Sequence, residues 1–84
     1  MIEWDEPKRR INLEKHKIDF VIAMDFDWET AFVDEDDRFD YGEKRFVAIG
    51  KIGDVIYTMV YTPRGTNIRL ISLRRASREE RKLL

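Results

Sequence analysis

The chain has 84 residues with a formal charge of −1, no cysteine and a single histidine, which describes one small domain with one modest core. This composition excludes a cofactor-binding domain beside a substrate domain, a disulfide framework, a zinc–thiolate site and a multi-histidine metal centre. No apolar run reaches the ~20 residues of a membrane span, and MIEWDEPKRR lacks the apolar core of a signal peptide, so a soluble cytoplasmic protein is expected.

In chain order, residues 2–4 read as a short extended entry. Asp5, Glu6 and Pro7 then predict a helix start with a carboxylate cap, and the helix runs to about His16. At about 100° per residue, Lys8, Asn12, Lys15 and His16 fall within one third of its circumference. They are either a working face or the polar side that a short helix shows to water. Asp19 is placed to cap a second short helix over residues 20–26, with Phe20, Ala23 and Met24 supplying core.

A first strand is expected at 30–33, followed by the acidic run Asp34, Glu35, Asp36 and Asp37. Metal-binding carboxylate loops need a defined spacing and a tight glycine turn, which this run lacks, so it reads as a solvated loop. After turn chemistry at 40–43, strands are expected at 44–52, 55–62 and 67–73. Gly53-Asp54 joins the first pair, and Pro63-Arg64-Gly65 joins the second. Strict alternation would put Val47, Ile49, Ile56, Val60, Ile68 and Leu70 on a core face beneath the helices. Phe46, Tyr57, Met59, Tyr61, Arg69, Ile71 and Leu73 would lie on the other, although a one-residue change in the second loop would flip the third strand.

The chain then reads as a helix over 77–84, opened by an S-x-x-E capping box at Ser77 and Glu80. The expected class is α+β: a small single domain over residues 1–84, with N-terminal helices, an antiparallel β-meander and a C-terminal helix.

Charge is segregated along the chain. Residues 25–43 hold nine acids against one arginine, and residues 64–84 hold seven bases against two acids. Such polarity suits nucleic acid on one side and a basic partner, or the chain's own basic half, on the other. A net negative charge argues against a non-specific nucleic-acid binder. Arg69, Arg74, Arg75, Arg78, Arg81 and Lys82 form a fixed positive cluster suited to phosphate; the alternative is a solvated helix face paired with Glu79 and Glu80.

Several spaced motifs run nearly end to end: Trp4-Asp5, Lys8, Asn12 and Lys15-His16; Phe26-Asp27-Trp28; DDRFDYGEKR over 36–45; VYTPRG; and IRLISLRRAS. With these the chain resembles the BrnT family of bacterial toxins. The resemblance implies a fold similar to the RelE ribonuclease toxins, metal-independent RNA cleavage without a cofactor, and growth arrest relieved by a cognate DNA-binding, BrnA-like antitoxin. It further implies that the complex represses its own operon, with operator DNA reached only through the antitoxin; two toxins are expected in the complex if the antitoxin dimerises on DNA. One departure is Lys17, where members commonly place the glycine that ends the helix in a left-handed residue.

Metal-free RNA cleavage uses the 2′-hydroxyl as nucleophile and needs a base, an acid and positive charge at the phosphate. The candidate catalytic residues are Lys8, His16, Glu43, Arg45, Arg64 and Arg69. His16 or Glu43 would serve as base, Lys8 or Lys15 as proton donor, and Arg45, Arg64, Arg69 and Arg74 as phosphate clamps. Lys15, Arg74, Arg75 and Arg78 are the candidate nucleic-acid contacts. The antitoxin is expected on the second sheet face, over Tyr57, Met59, Tyr61, Ile71 and Leu73. The alternative from a different class is a non-catalytic module that loads onto a DNA-binding regulator.

Overall fold

The structure is a computed structural model that describes residues 1–38 and 40–84. Its centre is a five-stranded sheet in the order β1-β5-β4-β3-β2. The strands are β1 (Ile2–Trp4), β2 (Phe32–Glu35), β3 (Phe46–Ile52), β4 (Val55–Arg64) and β5 (Asn67–Arg75). Helix α1 (Glu6–His16) and a 3-10 helix (Phe20–Asp25) separate β1 from β2, and the short helix α2 (Arg78–Arg81) follows β5.

The Gly53-Asp54 turn closes where its composition places it, with Ile52 opposite Val55 and Gly53 at φ +62°. The next hairpin is tighter than expected. Pro63 and Arg64 belong to β4, opposite Ile68 and Asn67, so only Gly65 and Thr66 make the turn, Gly65 at φ +60°. The sheet is mixed rather than antiparallel, because the entry segment β1 pairs in parallel with the first half of β5, Ile2 against Ile68 and Trp4 against Leu70. A long connection makes that pairing, and it carries no local signature.

A second correction concerns the faces. Tyr57, Met59, Tyr61, Leu70, Leu73 and Ala48 are buried together under Phe20, Ala23 and Phe26 of the 3-10 segment. The core therefore lies on the side expected to be open. In β3 and β4 the residues group as expected and Ile49 is buried as well, but the helices cover the Tyr57–Met59–Tyr61 side. In β5 the expected grouping fails at a bulge, where Val60 pairs with Ser72 but Tyr61 with Leu70, which leaves Ile71 without a partner. Across it β5 changes phase, so Ile68 and Leu70 join Leu73 in the core while Arg69, Ser72 and Arg74 share the opposite face with Val47, Ile56 and Val60. Gly50 marks the tightest packing, since a Cβ there would stand 2.6 Å from Cζ of Phe26.

Helix ends follow local chemistry, with one exception. The Val21 N–H donates to the Asp19 carboxylate as a cap, and Ser77 and Glu80 make a complete capping box. Asp5 occupies the N-cap position of α1, yet its carboxylate makes no capping bond there. Lys17 ends α1 at φ +61° with its N–H on the Leu13 carbonyl at 2.9 Å, so lysine adopts the left-handed conformation that glycine takes without penalty. Among the described residues, no helix is long and apolar enough to cross a membrane.

Candidate nucleic-acid interface

Helix α1 docks on the outer edge of β5. Beyond Trp4, β1 no longer covers the edge of β5, and α1 takes its place through one side chain, the buried Asn12. Its amide donates to the Leu73 carbonyl at 2.8 Å and to the Ile18 carbonyl at 3.1 Å. Its oxygen accepts the Leu73 N–H at 3.0 Å. The primary amide thereby presents to β5 the same donor and acceptor that a neighbouring strand would offer.

This anchor fixes the neighbouring side chains. Lys8, Ile11, Asn12, Lys15 and His16 on α1, with Ile71 and Ser72 on β5, line one groove. The bulge puts Ile71 on the groove wall and turns Ser72 to the face that carries Arg69 and Arg74. Arg74 follows Leu73, the residue Asn12 grips, and its charge reaches His16. Partial burial, then Lys15, then Arg74 push the imidazole below its ordinary value, because each disfavours the protonated ring. Arg69, lower on the same face, has its Nη2 3.8 Å from a Glu3 carboxylate oxygen, too long for a hydrogen bond. Its buried Nε has no partner.

The other candidates lie apart from this groove. Arg45 is paired with Glu43 at 3.4 Å and packs over the Tyr41 ring. Carrying the register on from Phe46 opposite Tyr61 sets Arg45 beside Thr62, which faces Arg69. At about 4.8 Å per strand the two arginines are roughly 10 Å apart, and Glu43 lies on the far side of β4 and β5 from His16. Arg64 is exposed at the end of the β4–β5 hairpin. Arg75, opposite Tyr57, belongs to the helix-covered face, and Arg78 is exposed on α2. Tyr57, Met59, Tyr61 and Leu73, expected to receive the antitoxin, are core residues with at most 9 % exposure. They are closed to a partner.

In the acidic run, the buried Asp36 carboxylate receives two hydrogen bonds from the Arg38 guanidinium, at 2.8 and 3.0 Å, and one from the Tyr41 hydroxyl. The Arg38 hydrogen bonds, ahead of its other contacts, hold Asp36 down at about 2. Among the described residues no group of three histidine, aspartate or glutamate side chains is placed to hold a metal ion.

Two features escaped the sequence. Asn12 was visible as a member of the α1 face, but its role as an edge cap depends on a contact 61 positions away. Glu80 was visible only as a capping residue. Its carboxylate also receives both terminal nitrogens of Arg74, at 2.7 and 2.8 Å, and the Thr58 hydroxyl at 3.0 Å.

No curated protein matches the chain. A family model does: the one described as the ribonuclease toxin BrnT of a type II toxin-antitoxin system aligns with residues 4–80. Matched to that model over nearly its whole length, the chain belongs to the BrnT family of ribonuclease toxins of type II toxin-antitoxin systems, whose partner is a cognate antitoxin.

Proposed function

We propose that this toxin cleaves RNA without a metal in the groove between α1 and β5. The observation that carries the proposal is the chain's one imidazole, half-buried among Lys15 and Arg74 with its pKa held below the ordinary value. At neutral pH such a ring is largely uncharged and able to accept a proton.

In the proposed reaction the 2′-oxygen attacks the adjacent phosphorus and its proton passes to His16. The bond from phosphorus to the 5′-oxygen breaks, and that oxygen takes a proton from Lys8 or Lys15. The products are a 2′,3′-cyclic phosphate and a free 5′-hydroxyl. Arg69 and Arg74 hold the non-bridging oxygens and stabilise the developing charge. Arg45, Arg64, Arg75 and Arg78 act at longer range, drawing RNA toward this end of a polarised molecule. Glu43, tied to Arg45 and two strands away from His16, is the weaker candidate for the base. The toxin acts in the cytoplasm, and its antitoxin silences it by covering the groove rather than the buried face of the sheet. Two toxins on an antitoxin dimer then repress the operon through the antitoxin's contacts with DNA.

The test uses purified toxin free of antitoxin, EDTA and mixed RNA. Cleavage to cyclic-phosphate ends is expected. The rate should fall on the acid side with a pKa below the ordinary histidine value of 6.5, and H16Q should lose about 10²–10⁴-fold. Intact RNA would leave the binding-module reading in its place.

A further inference from the structure

The Glu80 carboxylate sits at the meeting point of four donors from three places in the chain. Arg74 approaches as a fork at 2.7 and 2.8 Å, Thr58 on β4 donates its hydroxyl at 3.0 Å, and the Ser77 N–H donates at 2.8 Å. A helix cap needs only the last of these. The fork is the geometry in which a guanidinium is held most rigidly. Thr58, only 1 % exposed, fixes the carboxylate to the middle strand of the sheet. Arg74 keeps 38 % of its side chain exposed. Both of its terminal nitrogens are thus fastened to Glu80, while part of the side chain stays open to solvent.

We infer that Glu80 is a positioning residue for the ribonuclease site: anchored on Thr58 and the α2 cap, it fixes the Arg74 guanidinium, on the stretch of β5 where Asn12 docks α1, so that its charge acts on His16 from one position. The inference rests on the groove being the site of cleavage. The ionic pair has a different consequence from an ordinary surface salt bridge. A long side chain at the end of a strand would otherwise sample many rotamers, and each would place its charge at a different distance from the scissile phosphate. Lys15 on α1 and Arg74 on β5 are the cations whose charge lowers the imidazole, and of these two Arg74 is the one held, among the described residues, by a carboxylate from a third element.

The single histidine makes the test direct. The imidazole is titrated by NMR in the wild type, R74A, E80Q and E80D, and single-turnover cleavage is followed in the same proteins. R74A removes a like charge, so its imidazole pKa rises. In E80Q the released guanidinium swings to solvent, the pKa rises in the same direction, and kcat falls about tenfold or more with KM changed by less than about threefold. E80D keeps the charge but is too short to hold the fork, so it follows E80Q. Far-UV circular dichroism checks folding. Should E80Q not fold, T58V, which removes one hydrogen bond and keeps volume and charge, gives the same changes at smaller size. An E80Q or T58V protein whose histidine titrates like the wild type or lower, or whose kcat is unchanged, overturns the inference. A wild type that leaves RNA intact overturns the cleavage reading instead, while the NMR arm still reports whether Glu80 holds Arg74.

Discussion

Replacing Asn12 by alanine tests whether one side chain docks α1 to the sheet. The substitution deletes three hydrogen bonds, two of them to the N–H and carbonyl of Leu73, a residue whose side chain is wholly buried. An orphaned buried main-chain group costs about 1–3 kcal/mol. The groove beside Asn12 admits water to part of the gap, so the lower half of the range applies to each group and the total comes to ~3 kcal/mol. A domain of this size has roughly 4–12 kcal/mol to lose, and the melting temperature should fall by about 15 °C. Urea unfolding followed by tryptophan fluorescence and circular dichroism measures the change at constant slope. N12D sharpens the test. Its carboxylate can still accept from Leu73 but sets a negative oxygen against two carbonyls, so at pH 7 it should be less stable than N12A. Burial raises the folded-state pKa of this new carboxyl, so N12D should regain stability as the pH falls, whereas N12A should not. A loss below about 0.5 kcal/mol in N12A, or an N12D protein indifferent to pH, would show that α1 is held by other contacts.

Two further outcomes follow from individual residues. K17G should raise stability by about 0.5–1 kcal/mol, because the left-handed penalty at φ +61° exceeds the backbone entropy that glycine adds; an unchanged or lower melting temperature refutes this. Asp36 and Glu80 are depressed from 3.8 and 4.5 to about 2, the first chiefly by Arg38 and the second chiefly by Arg74. Their contribution is therefore complete above the ordinary carboxylate values and is lost as the pH falls toward 2. D36N and E80Q should each flatten part of that acid limb, and an unchanged profile in both would contradict the assignment.

What the sequence discloses here is chemistry that acts over a few residues. Gly53-Asp54 closes its hairpin, Asp19 and Ser77 cap their helices, and the i, i+4, i+7, i+8 spacing of Lys8, Asn12, Lys15 and His16 brings them to one groove. Alternation grouped the residues of β3 and β4 but did not show which group the helices cover, since both are apolar, and in β5 it carries no mark of an inserted residue: a bulge at Ile71 looks like any other aliphatic position. Nor was the parallel partner of β5 legible, since three residues at the start of the chain say nothing about where they land. Asn12 and Glu80 share the difficulty. Each has a local reading, polar helix face or helix cap, that is true and incomplete, and the rest of its role depends on residues brought near by the fold.

The bulge also bears on how the chain tolerates length change. Removing Ile71 would put Ile68, Leu70 and Leu73 into simple alternation and leave Arg69, Ser72 and Arg74 together on the other side. Every cross-strand partner between β4 and β5 would be kept, since Val60 already faces Ser72 and Tyr61 already faces Leu70. A one-residue deletion usually scrambles a central strand, but here it would regularise one. The extra residue is therefore dispensable for pairing, and what it supplies is an aliphatic wall opposite Lys8 and Lys15. A ΔIle71 chain should fold with its sheet intact and lose the groove, separating within one protein the residue count that folding needs from the count that the site needs.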